Sequence, residues 1–368
     1  MCPNAKEKEN VRTIEKMRSG AEDEFQPLSV LDPDGVSDFD ELLSAMSKTA
    51  FGGRNLGEAL DVLETMVTDP ECLVVATFSG AMTVAKMGGL ICKMIDNGWI
   101  NVVISTGALM AHGLVESIGL KHYKYKNDVM DDNALFEAGY NRVYDTLEPE
   151  SNLCQADEVI NNALSQMKNE AFLSSERICS IVGKYLAEHF REPGILKSAY
   201  EKNVPVYIPA FTDSEFALDV ACFLLRNRGE IFDQDFDPSL LPFHFNPFLD
   251  LVSYTKRIVN AKRIGIFTIG GGVPRNWAQQ VAPFLEILRF RQVKELPMRR
   301  FNYGVRICPE PDHWGGLSGC TYQEGVSWGK FVSPREGGKF AEVFCDATIA
   351  WPILVKGLQN RMAKKALI

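Results

Sequence analysis

Short runs of β-branched and apolar residues recur along the chain, each followed by a glycine or another small residue and then by a longer stretch with helical spacing. They are Cys72 to Phe78 (CLVVATF), Ile100 to Ser105 (INVVIS), Pro205 to Ala210 (PVYIPA), Arg263 to Ile269 (RIGIFTI), Tyr303 to Cys308 (YGVRIC) and Phe340 to Cys345 (FAEVFC). Near-continuous apolarity predicts strands buried on both faces, as in parallel sheets covered by helices. The intervening stretches predict helices over Thr83 to Asp96, Asp131 to Asp145, Ser174 to Phe190, Asn246 to Ala261 and Trp277 to Arg289. An earlier helical face begins at Phe39, Leu42, Leu43 and Met46, spaced three and four apart. The alternation predicts an α/β fold, doubly wound around a mostly parallel sheet. Residues 1–25 alternate charges with few large apolar side chains and read as an N-terminal arm, leaving 26–368 as one folded unit.

Charge narrows the ligands. The net charge of −9 excludes the clustered positive surface that nucleic-acid binding requires, and leaves cationic ligands open. No apolar run approaches the roughly 20 residues of a membrane span, and MCPNAKEKEN lacks an apolar signal region. The expectation is a cytoplasmic protein with no membrane partner. Nine widely spaced cysteines without a CxxC pair predict neither a disulfide framework nor a zinc site; Cys72 and Cys345 read as small core residues. His112, His122, His189, His244 and His313 show no metal-ligand spacing, so no metal is expected.

In a doubly wound sheet the ligand lies beyond the carboxyl ends of the strands. Here those ends carry Ser79-Gly80-Ala81-Met82, Thr106-Gly107-Ala108 and Gly270-Gly271-Gly272. Small residues let backbone N–H groups approach a phosphate at a helix N-terminus, so these turns suggest a dinucleotide cradle. Tight strand-to-helix turns need glycine for packing as well, and no G-x-G-x-x-G is present. The segment Pro309 to Lys330, PEPDHWGGLSGCTYQEGVSWGK, lacks helical or strand periodicity and reads as a functional loop. A lysine beside tryptophan and withdrawn from water has a lowered pKa and can form a Schiff base, while many such lysines only lay their stem on the ring. Glu310, Asp312 and Glu324 read either as cation ligands or as solvated loop acids.

Over about Phe39 to Lys356 the chain resembles the deoxyhypusine synthase and homospermidine synthase family. The matching motifs are TFSGAMTVAKMGGL, INVVISTGAL, ALFEAGYNRVYDTLEPESN, VPVYIPAFTD, IGGGVPRNW, EGVSWGK and CDATIAWPILV. The resemblance implies a Rossmann-like NAD site and NAD-dependent transfer of an aminobutyl group. A polyamine is oxidised to an imine, captured by a lysine that maps onto Lys330, passed to an acceptor amine and reduced again. It places NAD contacts on Ser79, Gly80, Ala81, Met82, Thr106, Gly107, Asp213, Gly270, Gly271, Gly272, Gly315, Asp346 and Ala347. It makes Trp328 a wall of the amine site and gives Glu324 a terminal ammonium. It also implies a homotetramer, a dimer of dimers with shared active sites, in which an N-terminal arm can cover the site.

The chain departs from the family where the amine binds. The Lys-His-His run that the family's eukaryotic protein-modifying enzymes carry after the triple glycine is Arg275-Asn276-Trp277 here, which puts Asn276 where a histidine is implicated. An aspartate of the glycine-rich loop becomes Leu317, near Trp314, and a second binding aspartate aligns with Leu218 or, one residue on, Asp219. The resemblance with these changes implies transfer between small amines, for example from spermidine or putrescine to putrescine to give homospermidine. The alternatives are a deoxyhypusine synthase acting on a lysine of a translation initiation factor, and an inactive NAD- or polyamine-binding paralogue.

Overall fold

The computed structural model describes residues 12–126, 131–167, 170–226, 237, 239, 241–291 and 295–367. The six apolar runs all form strands: β1 (Cys72–Phe78), β2 (Val102–Ser105), β3 (Val206–Tyr207), β4 (Arg263–Ile269), β5 (Tyr303–Ile307) and β6 (Lys339–Val343). All pair in parallel in one sheet, ordered β3-β2-β1-β4-β5-β6. That is the order of the dinucleotide-binding fold, with its reversal between β1 and β4.

Alternation along β1 builds a core on each side of the sheet. Val74, Ala76 and Phe78 join helices Phe51–Thr68, Gly107–Ser117, Glu215–Arg226 and Ala347–Ala366, while Val75 joins Tyr254, Ala278, Val281, Tyr322 and Phe331. Cys72 and Cys345 are half-buried against the first core. Residues 12–25 are almost wholly exposed, with one 3-10 turn at Ile14–Lys16, and the rest of the expected arm lies outside the described residues.

Several expected boundaries are corrected. β3 is cut to two residues because Ile208 N–H leaves the ladder for Ser175 Oγ, 2.8 Å away, and Pro205 and Pro209 have no N–H to contribute. The helix expected over Thr83 to Asp96 starts only at Gly88, after Lys86 takes a left-handed φ of 65°. The helix expected over Asp131 to Asp145 spans only Asp132–Glu137. Gly139, at φ 72°, ends it, and Tyr140–Val143 turns back on Thr146–Pro149 in a small antiparallel sheet. The helix expected from Trp277 begins five residues earlier, as Gly272–Gln279, and a second one follows as Val281–Arg291. Pro283 divides them, since it has no N–H to give the Gln279 carbonyl. The earlier start places Asn276 on a helix that begins at the glycine turn. Apolar Ile349 to Val355 belongs to the long helix Ala347–Ala366, and no described helix is long and apolar enough to cross a membrane.

Candidate active site

At the reversal point the carboxyl ends of β1 and β4 lie side by side, Phe78 opposite Ile269. Ser79 stitches the two turns together. Its N–H donates to the Ile269 carbonyl at 3.1 Å, and its Oγ accepts from Gly271 N–H at 2.9 Å. Gly270 holds φ 74°, and a Cβ there would stand 2.4 Å from Ser79 Oγ; one on Gly271 would stand 2.5 Å from Ser318 Cα. Glycine therefore lets three chain segments meet at backbone distance. After β2, Thr106 caps helix Gly107–Ser117 by accepting from Leu109 N–H, and a Cβ on Gly107 would fall 1.9 Å from Ser214 Oγ. The exposed Asp213 is thereby set against this turn. Beyond β6, Asp346 caps helix Ala347–Ala366 through Thr348 N–H at 2.7 Å and is exposed, with Ala347 buried behind it.

The segment expected as a loop contains a 3-10 turn, Asp312–Trp314, and a helix, Tyr322–Ser327, N-capped by Thr321. A buried arginine and a half-buried glutamate peg it to the sheet. Arg306 of β5 donates to the carbonyls of Ser318 (2.6 Å) and Cys320 (3.0 Å) and to Glu342 of β6 (2.7 Å), and Glu342 accepts from Tyr322 N–H. Gly325 rests on the Phe331 ring, and Gly329 turns the chain at φ 67°. Lys330 is then fastened on both sides. Its N–H donates to the Gly325 carbonyl, and its own carbonyl accepts from Phe301 N–H at 2.9 Å.

The Lys330 side chain is nine-tenths buried, and no carboxylate pairs with it among the described residues. Its Nζ donates to Asn276 Oδ1 at 3.5 Å and stands 5.9 Å from the Trp328 ring centre. Burial lowers its pKa below that of a free lysine, and Arg275 adds to this, while Cys320 and Glu324 oppose it. Arg275 is itself buried, over the Tyr322 ring, with Nε and Nη2 unpartnered. An arginine cannot give up its proton, so of the two buried cations the lysine is the one that becomes a neutral amine.

The structure thus gathers Lys330, Asn276, Trp328 and Glu324, and separately gathers on the strand ends the turns expected to hold a cofactor. Trp314 and Leu317 are exposed on the segment whose Ser318 packs on Gly271, and Gly315 takes the left-handed φ of 70° within it. Glu310 is no free loop acid, because its carboxylate fills the space over Gly316. Asp219 is buried where neighbouring Leu218 is exposed. Its helix packs in the core on the other face of the sheet from Tyr322 and Phe331. Burial, then Glu215 and Asp157, push the Asp219 carboxyl up to about 7. A carboxyl with a folded pKa of about 7 and an unfolded one of 3.8 makes the fold less stable as pH rises from 4 to 7. Asp219→Asn should therefore raise the thermal midpoint at pH 8 and leave it nearly unchanged at pH 4; equal shifts at both would show that the acid is not strained. Arg275, Arg306 and Glu342 were not read as site residues. For Arg306 and Glu342 the signal was a charge inside an apolar strand run, YGVRIC and FAEVFC, whereas Arg275 lies on the helix after the glycine turn.

The sheet order and glycine turns define a doubly wound α/β protein of the dinucleotide-binding architecture, with a buried lysine on one face. The chain belongs to the deoxyhypusine synthase family, whose model matches residues 41–358. It is 34% identical to "Probable deoxyhypusine synthase 2" of Methanosarcina acetivorans, over 87% of this chain and 86% of that one. It is 33% identical to the protein of the same name from Archaeoglobus fulgidus, over 85% and 95%. A "Deoxyhypusine synthase-like protein" of Chlorobaculum tepidum is 31% identical over 85% and 84%. Among solved structures, a protein of Entamoeba histolytica assigned to the deoxyhypusine synthases shares the fold, with a TM-score of 0.56, 12% identity and coverage of 90% and 96%.

Proposed function

We propose that the protein is an NAD-dependent transferase that moves an aminobutyl group from a polyamine donor, spermidine or putrescine, through an imine on Lys330 to a small acceptor amine such as putrescine. The observation that carries this reading is the buried Lys330 amine, held by Asn276 and in no ion pair among the described residues. The turns fit the cofactor: Gly270, Gly271 and Gly107 leave no room for a Cβ, and Asp213 offers an exposed carboxylate of the kind that binds ribose hydroxyls. Ser79 to Met82, Thr106, Gly107, Asp213, Gly270 to Gly272, Gly315, Asp346 and Ala347 would hold it. When bound, NAD supplies the acceptor and later the donor of one hydride.

Lys330 does the group transfer. The neutral Nζ adds to the carbon of the oxidised donor, a proton passes to the departing amine nitrogen, and loss of that amine leaves a C=N bond to Lys330. The acceptor amine then adds at the same carbon and displaces Nζ by the reverse step. Asn276 orients Nζ through its carbonyl oxygen and, unlike histidine, does not exchange a proton, so the departing and arriving amines carry their own. Trp328 walls the amine, and exposed Glu324 meets a distal ammonium. The family's arrangement, a dimer of dimers with shared active sites, would let a second copy complete the amine site.

Leu317 and Asn276, standing where the protein-modifying enzymes carry a carboxylate and a histidine, favour a small acceptor. Incubation with NAD and each of several di- and polyamines, with product masses read for every donor and acceptor pair, should give diaminopropane and homospermidine from spermidine and putrescine. Transfer only to a lysine of the initiation factor would replace this reading with the protein-modifying one. Release of neither diaminopropane from spermidine nor ammonia from putrescine, with no aminobutyl product, would leave a binding protein without turnover.

A further inference from the structure

A second polar cluster lies apart from Lys330. His112 stands in the middle of helix Gly107–Ser117, His122 immediately precedes the strand Tyr123–Lys124, and Glu148 belongs to the strand Thr146–Pro149 paired with it. Their side chains converge: His112 Nδ1 lies 2.5 Å from one Glu148 oxygen and His122 Nε2 lies 3.2 Å from the other. One donor atom from each residue falls within 4.8 Å of the others.

Two features distinguish this cluster from an ordinary buried ion pair. The side chains of His122 and Glu148 are each 1% exposed and that of His112 23%, so the group is dry except on the His112 side. And although the atoms are close, neither ring nitrogen nor either carboxylate oxygen makes a hydrogen bond of acceptable geometry. The ring nitrogens do not aim along N–H···O lines at the carboxylate. Polar atoms that converge without hydrogen-bond geometry surround a common point, as metal ligands do. Lys86 Nζ, 2.7 Å from His122 Nδ1 and 2.7 Å from Glu116, fixes the far side of the ring and keeps Nε2 turned inward. With a cation on Nε2 the ring proton moves to Nδ1, and Lys86 is left to Glu116.

We propose that His112, His122 and Glu148 bind a divalent transition-metal ion, with water at the open position beside His112. Two imidazole nitrogens and one carboxylate form a donor set that suits zinc. The ion would tie the small antiparallel sheet to the helix that carries the Thr106-Gly107 turn. The ligands come from a helix and two paired strands without short-range spacing, which is why the sequence pattern led to the expectation of no metal.

The test uses tag-free, full-length protein. Elemental analysis should find about one equivalent of metal per chain, and protein stripped by chelator should recover it from Zn2+ and give the visible bands of four-coordinate Co2+. His112→Ala, at the least buried ligand, and Glu148→Gln should lose both. Folded wild type that takes up no Zn2+ and shows no Co2+ bands would overturn the site, leaving an ion-pair cluster only. So would full uptake by either variant.

Discussion

Lys330→Arg should fold like the wild type, bind NAD, and lose amine transfer by at least about 10^4-fold, the scale on which removal of a covalent nucleophile acts. Arginine keeps the charge and the stem, but its guanidinium cannot form the imine. Borohydride added to wild type with NAD and spermidine should fix an aminobutyl adduct on Lys330, and the variant should trap nothing. Retained transfer in the variant would place the nucleophile elsewhere. The pH dependence offers a second readout. Because burial lowers the lysine's pKa, the neutral amine is present at lower pH than in free lysine, and trapping should rise with pH and level off at lower pH than a free lysine would. Asn276→Asp sets a carboxylate where Nζ now meets an amide oxygen at 3.5 Å. It favours the ammonium, so the rising limb should move to higher pH. An unmoved limb would separate the Asn276 contact from the reactivity of the amine.

Much of this geometry was legible in the chain because parallel strands buried on both faces leave an unbroken apolar trace. CLVVATF and RIGIFTI match β1 and β4 residue for residue. The turns after them were legible for a related reason: where backbones pack to within a Cβ's reach, only glycine fits. The losses have equally local causes. Asp131 to Asp145 has helical spacing throughout, but the left-handed residues at Gly139 and Tyr144 fold it into a hairpin. Arg306 and Glu342 looked like ordinary strand charges until the sheet set them side by side, where their pair anchors Ser318, Cys320 and Tyr322. The His112 cluster depends on a helix docking against a pair of strands, which no periodicity encodes.

Gly270→Ala should weaken NAD binding by about 10^2-fold or more, read by fluorescence titration of NADH, with a smaller loss of thermal stability. Two independent effects combine. Alanine at φ 74° is held in the left-handed region at about 1–2 kcal/mol, and its Cβ would stand 2.4 Å from Ser79 Oγ. Relief of that clash must push apart the ends of β1 and β4, where Ser79 Oγ accepts from Gly271 N–H. Ser79→Gly removes the clashing hydroxyl, so the double variant should recover part of the affinity, with the backbone strain remaining. Ser79→Gly alone should bind several-fold more weakly than wild type, having lost the Oγ hydrogen bonds with Gly271 N–H and the Ile269 carbonyl, each worth about 1 kcal/mol. Gly271→Ala should weaken binding by another route. Its Cβ meets Ser318 Cα at 2.5 Å, and this obstacle is backbone, so no side-chain deletion at 318 can relieve it. Ser318→Gly should therefore fail to rescue Gly271→Ala, whereas Ser79→Gly helps Gly270→Ala. Rescue in both cases, or unchanged affinity in either single glycine variant, would mean that the cofactor does not lie against these turns.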